Sequence, residues 1–171
     1  MVSTYKICIP PALRALDALS EILAKGEAHC TARSIDPAVM LQSRLYPDMF
    51  ALTRQVQIAS DSASRMGARI AGVAAPVMPD TETSFGELRE RLTTTAKFLR
   101  ALKPEAFEGG EDREVVVPVR GGELRMSGLD YFQAHAMPNL LFHAATAYAI
   151  LRHNGVELGK KDFLGPMPIQ Q

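Results

Sequence analysis

The chain has 171 residues, of which 47% are hydrophobic and 22% are charged, as is usual for a globular protein. We expect one domain over residues 1–171, because this length suffices to bury a sizeable core. Lys and Arg together number 19, as do Asp and Glu, so the basic excess typical of nucleic-acid-binding proteins is missing. Cys8 and Cys30 lack metal or redox spacing, and the first residues contain too short an apolar run for a signal peptide. These features favour a cytoplasmic protein.

The first segment with helical spacing begins near two prolines. Pro10 and Pro11 would be tolerated in the first turn of a helix, and leucines and isoleucines recur at helical spacing as far as about His29. A short helix is then expected, with Asp36 as its N-cap and Pro37 at its first position.

Two further long helices are predicted before residue 105. The second long helix should open at Pro47 and end at Gly72, because a glycine commonly terminates a helix. Its apolar stripe consists of Leu52, Val56, Ala59, Ala63, Met66 and Ile70. A proline-containing loop follows, and Ser84 and Glu87 then have the spacing of a capping box for a third helix, which Pro104 ends.

The hydrophobic period changes from 3.6 to 2 between residues 113 and 126. This stretch predicts two short strands joined at Gly121-Gly122, which is a hairpin turn signal. Pro118 restricts its strand to a sheet edge. Because an isolated hairpin is marginally stable in water, we expect it to pack on the helices.

The stretch from Tyr131 to Leu151 contains no Asp, Glu, Lys or Arg. A helix that is apolar on nearly every side is normally buried by its neighbours, and polar side chains together with Pro138 make a membrane span costly. Ser127 or Asp130 should cap this fourth long helix, which ends near residue 154. The fold class predicted is therefore all-α: a four-helix bundle with a short extra helix and a small β-hairpin before the last long helix. Long connections allow a non-sequential helix order.

Candidate functional residues lie on the fourth long helix. His135, Asn139 and His143 follow one another at intervals of four residues, so they share an arc of roughly 80°. The two histidines are roughly 12 Å apart along the axis, whereas zinc requires each ligand nitrogen within about 2.0–2.1 Å. Two interpretations stay open: a pocket or metal site, or polar core groups satisfied by hydrogen bonds. Pro138 removes the backbone bond to Ala134 and should bend the helix.

Four other residues are binding candidates. Gln55 lies beside the apolar stripe of the second long helix and could hydrogen-bond to His143. Asp48 shares its face, although stabilisation of the helix dipole is the preferred explanation for this carboxylate. Tyr148 and Arg152 are four residues apart near the end of the fourth helix and could bind an anion; alternatively, Arg152 complements the helix dipole.

Three stretches resemble one bacterial family of unknown function, and the resemblance covers essentially the whole chain. The stretches are YPDMFALTRQVQIASD, PEAFEGGEDREVVVPV and FHAATAYAILRHNGVELGKKDFLG. That family is similar to the DinB/YfiT-like superfamily. The resemblance implies a four-helix bundle, often a homodimer, that frequently binds a divalent metal such as zinc or nickel through three histidines.

The resemblance also implies a ligand set that this chain does not reproduce. The superfamily uses one histidine on the second helix and an H-x-x-x-H pair on the fourth. No histidine occurs between His29 and His135, and the residues four before and four after His143 are Asn139 and Ala147. Only His143 or His135 corresponds to a metal ligand, and zinc normally takes at least three protein ligands.

Three functional hypotheses follow. In the first, the bundle binds a small molecule between the second and fourth long helices, lined by His135, Asn139, His143, Gln55 and Asp48, with His143 as a general base if a reaction occurs. In the second, the protein is a dimeric structural or stress protein without an active site. In the third, suggested by the superfamily, it is a metal-dependent hydrolase or thiol transferase.

Overall fold

The computed structural model describes residues 3–167. Its elements in chain order are α1 (Thr4–Arg33), α2 (Pro37–Leu41), α3 (Leu52–Ala71), α4 (Phe85–Ala101), a 3-10 turn (Pro104–Phe107), β1 (Glu114–Val119), β2 (Gly122–Ser127), α5 (Gly128–Asp130), a π-helical turn (Tyr131–Ala136), α6 (Met137–His153) and α7 (Lys160–Leu164). The segment from α5 through α6 is the predicted fourth long helix.

The four long helices enclose one hydrophobic core. Both α1 and α3 pack against α4 and α6, so the order around the bundle is α1, α4, α3, α6. Leu16, Leu52, Leu88, Leu140 and Ile150 are each fully buried at the centre. Burying one such side chain contributes about 1.5–3 kcal/mol, which explains why these apolar stripes determine the packing. The predicted four-helix bundle, with its extra helix and hairpin, is confirmed.

The first helix begins earlier than predicted. It starts at Thr4 with Ser3 as its N-cap, whose Oγ accepts a hydrogen bond from the Lys6 amide at 3.3 Å. Pro10 and Pro11 therefore lie inside the helix rather than in its first turn. Proline inside a helix removes the bond to the carbonyl four residues earlier. Because Lys6 and the adjacent residue are exposed, water can solvate those carbonyls.

The start of α3 also differs from the prediction. Pro47 and Asp48 are the central residues of a turn that the Met49 amide closes on the Tyr46 carbonyl at 3.0 Å. Proline and aspartate suit such positions because proline presets the backbone angle of the first one. The helix begins only at Leu52, so Asp48 cannot interact with its dipole as predicted.

Other predicted signals are confirmed. The Glu87 amide donates to Ser84 Oγ at 3.1 Å, and Glu87 Oε2 accepts from the Ser84 amide at 3.0 Å, which completes the capping box. Gly72 ends α3 with a left-handed φ of 71°. The predicted hairpin forms, but its turn is one residue earlier than expected: Val119 pairs with Gly122, so the turn residues are Arg120 and Gly121 rather than Gly121 and Gly122. Gly121 is the turn residue with positive φ.

Two glycines and one arginine fix the hairpin on the bundle. A Cβ at Gly128 would lie 1.9 Å from the Gly110 carbonyl oxygen, so the chain can pass here only without a side chain. Arg113 donates to the Ile70 and Ala106 carbonyls and thereby ties the base of β1 to the end of α3. The base of the hairpin is consequently held at the carboxyl-terminal end of α3.

A π-helical turn precedes Pro138. The Met137 amide donates to the Phe132 carbonyl, five residues earlier, instead of four as in an α-helix. The structure thus accommodates Pro138 by one wider turn, and such turns often occur at functional sites. Burial of the fourth long helix is less complete than predicted, because Leu141 and Phe142 are exposed.

Candidate functional site

The fourth long helix runs antiparallel to α3 and contacts it at two separate levels. Tyr131 Oη accepts from Arg69 Nη1 at 3.1 Å near one end, and His143 Nδ1 lies 2.7 Å from Gln55 Oε1 further along. The predicted common face therefore does point towards the second long helix. The axial spacing nevertheless places His135 and His143 at different levels rather than in one cavity.

The site at the first level is a pocket between α3, β1 and the π-helical turn, which we call the His135 pocket. Its volume is about 330 Å³, within the range of small-molecule sites. It is lined by Ser62, Arg65, Arg69, Val117, Pro118, Val119, Tyr131, His135, Ala136 and Asn139. Two arginines and a histidine line this pocket with no Asp or Glu, so it favours an anion.

Aromatic and cationic groups overlap inside the His135 pocket. The His135 ring stacks on Tyr131 with centroids 5.6 Å apart and planes 23° apart, while the Arg69 guanidinium lies 5.4 Å from the centroid of the Tyr131 ring. His135 Nδ1 is buried and has no hydrogen-bond partner within residues 3–167. A buried polar atom without a partner is costly, so a ligand that hydrogen-bonds to this nitrogen would be stabilising.

Asp61 offsets part of the charge of Arg65 from outside the pocket. Its Oδ2 accepts from Arg65 at 2.8 Å, while its Oδ1 accepts from Arg91 at 2.6 Å. The Arg91 side chain is only 1% exposed and also pairs with Asp80 and Glu82. Burial raises the pKa of Glu82, but hydrogen bonds from Arg91 and Gln57 outweigh it and lower that pKa below its usual value. Because Asp61 is shared between two guanidinium groups, Arg65 keeps part of its attraction for an anion.

The site at the second level is the pair formed by His143 and Gln55. Gln55 Nε2 donates to the Phe50 carbonyl at 3.0 Å, so Gln55 Oε1 must accept, and His143 Nδ1 carries the proton. Burial and then the Arg54 charge lower the pKa of His143 below 6.5. The ring is therefore neutral at pH 7, and Nε2, which makes no hydrogen bond within residues 3–167, keeps a basic lone pair.

The remaining predicted residues lie elsewhere. Asp48 is exposed in the turn before α3 and contributes to neither site. Tyr148 packs against Phe163 at 6.0 Å between centroids and donates weakly to the Leu158 carbonyl at 3.5 Å. Arg152 is exposed at the end of α6. The structure therefore brings together His135 with Asn139, and Gln55 with His143.

Sequence reasoning did not identify the arginines of the His135 pocket. Arg65 and Arg69 are four residues apart on α3 and so share a face one turn long. That spacing indicates that the two arginines lie together on α3. The position of the hairpin, which completes the pocket, could not be predicted from the sequence.

The residues around His143 do not fit a standard divalent-metal site. One nitrogen of its ring is engaged by Gln55, and the fourth-helix neighbours at helical spacing are an asparagine and an alanine. Within residues 3–167, no three His, Cys, Asp or Glu side chains are grouped so that they could hold a metal ion.

Cys8 and Cys30 are free and buried, and burial raises the pKa of Cys8 to about 12. A thiol with such a pKa is a poor nucleophile. Over the described part of the chain, no helix combines the length and hydropathy needed to span a bilayer.

Comparison with known structures shows which class of fold this protein has, namely a helical bundle of the DinB type. The crystal structure of a DinB family member from Shewanella denitrificans superimposes with a TM-score of 0.91 and 39% sequence identity, covering 98% of this chain and 94% of that one. The family model described as a domain of unknown function (DUF1993) matches residues 4–164, so the chain belongs to this family. The search of curated proteins gives no match.

Proposed function

We propose that this protein binds a small organic anion, such as a carboxylate or a phosphate monoester, in the His135 pocket. The observation that carries the proposal is the lining of the pocket: Arg65, Arg69 and His135 with no acidic side chain. The proposal keeps the predicted location between the second and fourth long helices and moves its centre from His143 to His135.

The pocket offers complementary contacts for the two parts of such a ligand. A guanidinium group binds a carboxylate or phosphate through two parallel hydrogen bonds, and Arg69 is already oriented by Tyr131. Val117, Pro118 and Ala136 provide an apolar wall, where exclusion of water strengthens an ionic contact. Within residues 3–167, His135 Nδ1 is buried without a hydrogen-bond partner, and a hydrogen bond from this nitrogen to the anion would satisfy it.

Isothermal titration with benzoate and phenyl phosphate tests this proposal, with benzyl alcohol as a neutral comparator. Arg69→Gln should weaken binding of both anions by about 10- to 100-fold, because a hydrogen bond to a charged group contributes about 1.5–3 kcal/mol. Arg152→Gln is the matched control, since that arginine is exposed and outside the pocket. Equal affinity for benzyl alcohol, or an unchanged affinity in Arg69→Gln, would contradict the proposal.

His143 supports a second candidate role, that of a general base. Its hydrogen bond to Gln55 leaves Nε2 unprotonated, and a lowered pKa keeps the ring neutral near pH 7. Nitrogen-15 NMR of the imidazole would test the assignment: the proton should reside on Nδ1, and the Gln55→Leu variant should lose that preference.

Other sequence predictions remain proposals. Self-association as a homodimer is expected from the superfamily, and exposed Phe50 and Phe142 are consistent with a protein contact. Sizing chromatography with light scattering tests it. A cytoplasmic location and the absence of nucleic-acid partners are still inferred from the composition alone.

A further inference from the structure

A second, chemically different cavity lies on the opposite side of the fourth long helix, between α1 and α6. This α1–α6 crevice has a volume of about 330 Å³. It is lined by Pro11, Arg14, Ala15, Leu19, Ile22, Phe132, Met137, Leu141, Ala144, Phe163 and Leu164. Every lining residue except Arg14 is apolar, so the crevice suits a hydrocarbon rather than a polar molecule.

Short side chains and a small covering helix create the crevice. Ala15 and Ala144 leave space where α1 and α6 face one another, and α7 covers the opening. Lys25 pairs with Asp162 of α7 at 2.6 Å, and Phe163 packs edge-on against Tyr148. The cover is therefore anchored at two points while its apolar residues face the crevice.

The mouth of the crevice is positively charged. Arg14 and Pro11 also border a shallow surface depression that contains Lys6, Asp17 and Arg100. Arg100 pairs with Asp17 at 3.0 Å, whereas neither Lys6 nor Arg14 has an ion-pair partner in the stretch 3–167. An apolar cavity thus opens next to unneutralised cations.

We infer that the α1–α6 crevice binds an aliphatic carboxylate of medium chain length, with its chain in the cavity and its carboxylate at Arg14. An apolar cavity of about 150 Å³ holds one benzene ring, and this one is about twice as large. Charge complementarity at the mouth selects an acid rather than an alcohol. The site is separate from the His135 pocket and shares no lining residue with it.

Titration of the full-length protein with octanoate and decanoate, below their micelle concentrations, tests the inference, with decanol as the neutral comparator. Decanoate should bind more tightly than octanoate by about fourfold for each added methylene. Arg14→Gln should weaken decanoate by about three- to tenfold, because the arginine is partly exposed, and leave decanol unchanged. Arg33→Gln, at the far end of the same helix, is the matched control and should bind both as the wild type does.

A second variant fills the cavity without touching the charge. Ala15→Leu should abolish binding of decanoate and decanol together, while Arg69→Gln should affect neither. The inference would be overturned if octanoate and decanoate bound with equal affinity, or if decanol bound as tightly as decanoate. It would also be overturned if Arg14→Gln left the affinity for decanoate unchanged. The inference would likewise be overturned if a second copy of the chain occupied the crevice. In that case Ala15→Leu would disrupt dimers while the binding of decanoate persisted.

Discussion

Replacement of Gln55 by leucine isolates the buried contact at the second level of the site. The variant removes the acceptor for His143 Nδ1 at 2.7 Å and the donor to the Phe50 carbonyl at 3.0 Å. Water can solvate that carbonyl because Phe50 is 56% exposed, whereas His143 is only 9% exposed. The lost imidazole contact should therefore dominate the change in stability.

The magnitude follows from the imidazole alone. A buried imidazole nitrogen left without a partner, whether as donor or as acceptor, costs about 1–3 kcal/mol, and the apolar surface of leucine offsets part of that cost. We expect a net loss of about 2 kcal/mol in the free energy of unfolding, which for a chain of this size lowers Tm by about 4–8 °C.

Urea unfolding followed by circular dichroism measures this loss. Gln133→Leu is the control, because Gln133 is exposed in the π-helical turn and should change stability by less than about 0.5 kcal/mol. In a His143→Leu background, Gln55→Leu should cost about 1 kcal/mol less than in the wild type. Equal costs in both backgrounds would refute the assignment of the loss to this hydrogen bond.

Two further predictions concern pH and close packing. The pKa of His143 in the folded protein lies below 6.5, so the unfolded chain binds the proton first as the pH falls. The contribution of His143 to stability is therefore full above pH 6.5 and is lost as the pH falls through the folded pKa. Urea unfolding between pH 7.5 and 5.5 should show this dependence in His153→Gln and not in His143→Gln. Gly128→Ala should destabilise the fold by about 3 kcal/mol or more, because its Cβ would lie 1.9 Å from a carbonyl oxygen. Gly122→Ala, with nothing within 4 Å, is its control in thermal unfolding, and similar Tm values for the two would contradict the close approach.

The helices could be predicted from the sequence because their signals are local. The Ser84 cap, the Gly72 terminator and the apolar stripes each act within one or two turns, and the structure confirms them. The predicted starts of α1 and α3 are wrong for a common reason, which is that proline suits the first turn of a helix but also occurs elsewhere. Pro10 lies inside α1, and Pro47 lies in the turn before α3.

The candidate site was only partly predictable because it depends on distant contacts. Helical spacing alone places His135, Asn139 and His143 on one face, and the predicted contact between Gln55 and His143 forms. Arg69 is oriented in the pocket by its hydrogen bond to Tyr131, which is 62 residues away along the chain. No local pattern encodes such a pairing, and the hairpin that roofs the pocket depends on the close approach of Gly110 and Gly128.

The extra residue in the π-helical turn at Tyr131–Ala136 bears on how chains with this fold can vary in length. Deleting one residue there would restore regular α-helical winding and rotate everything before it by about 100° relative to α6. The bundle after Pro138 would keep its registry, whereas Tyr131 would swing away from Arg69. A single insertion or deletion at this turn therefore offers a simple genetic route by which homologues could gain or lose the His135 pocket while retaining the same helical scaffold.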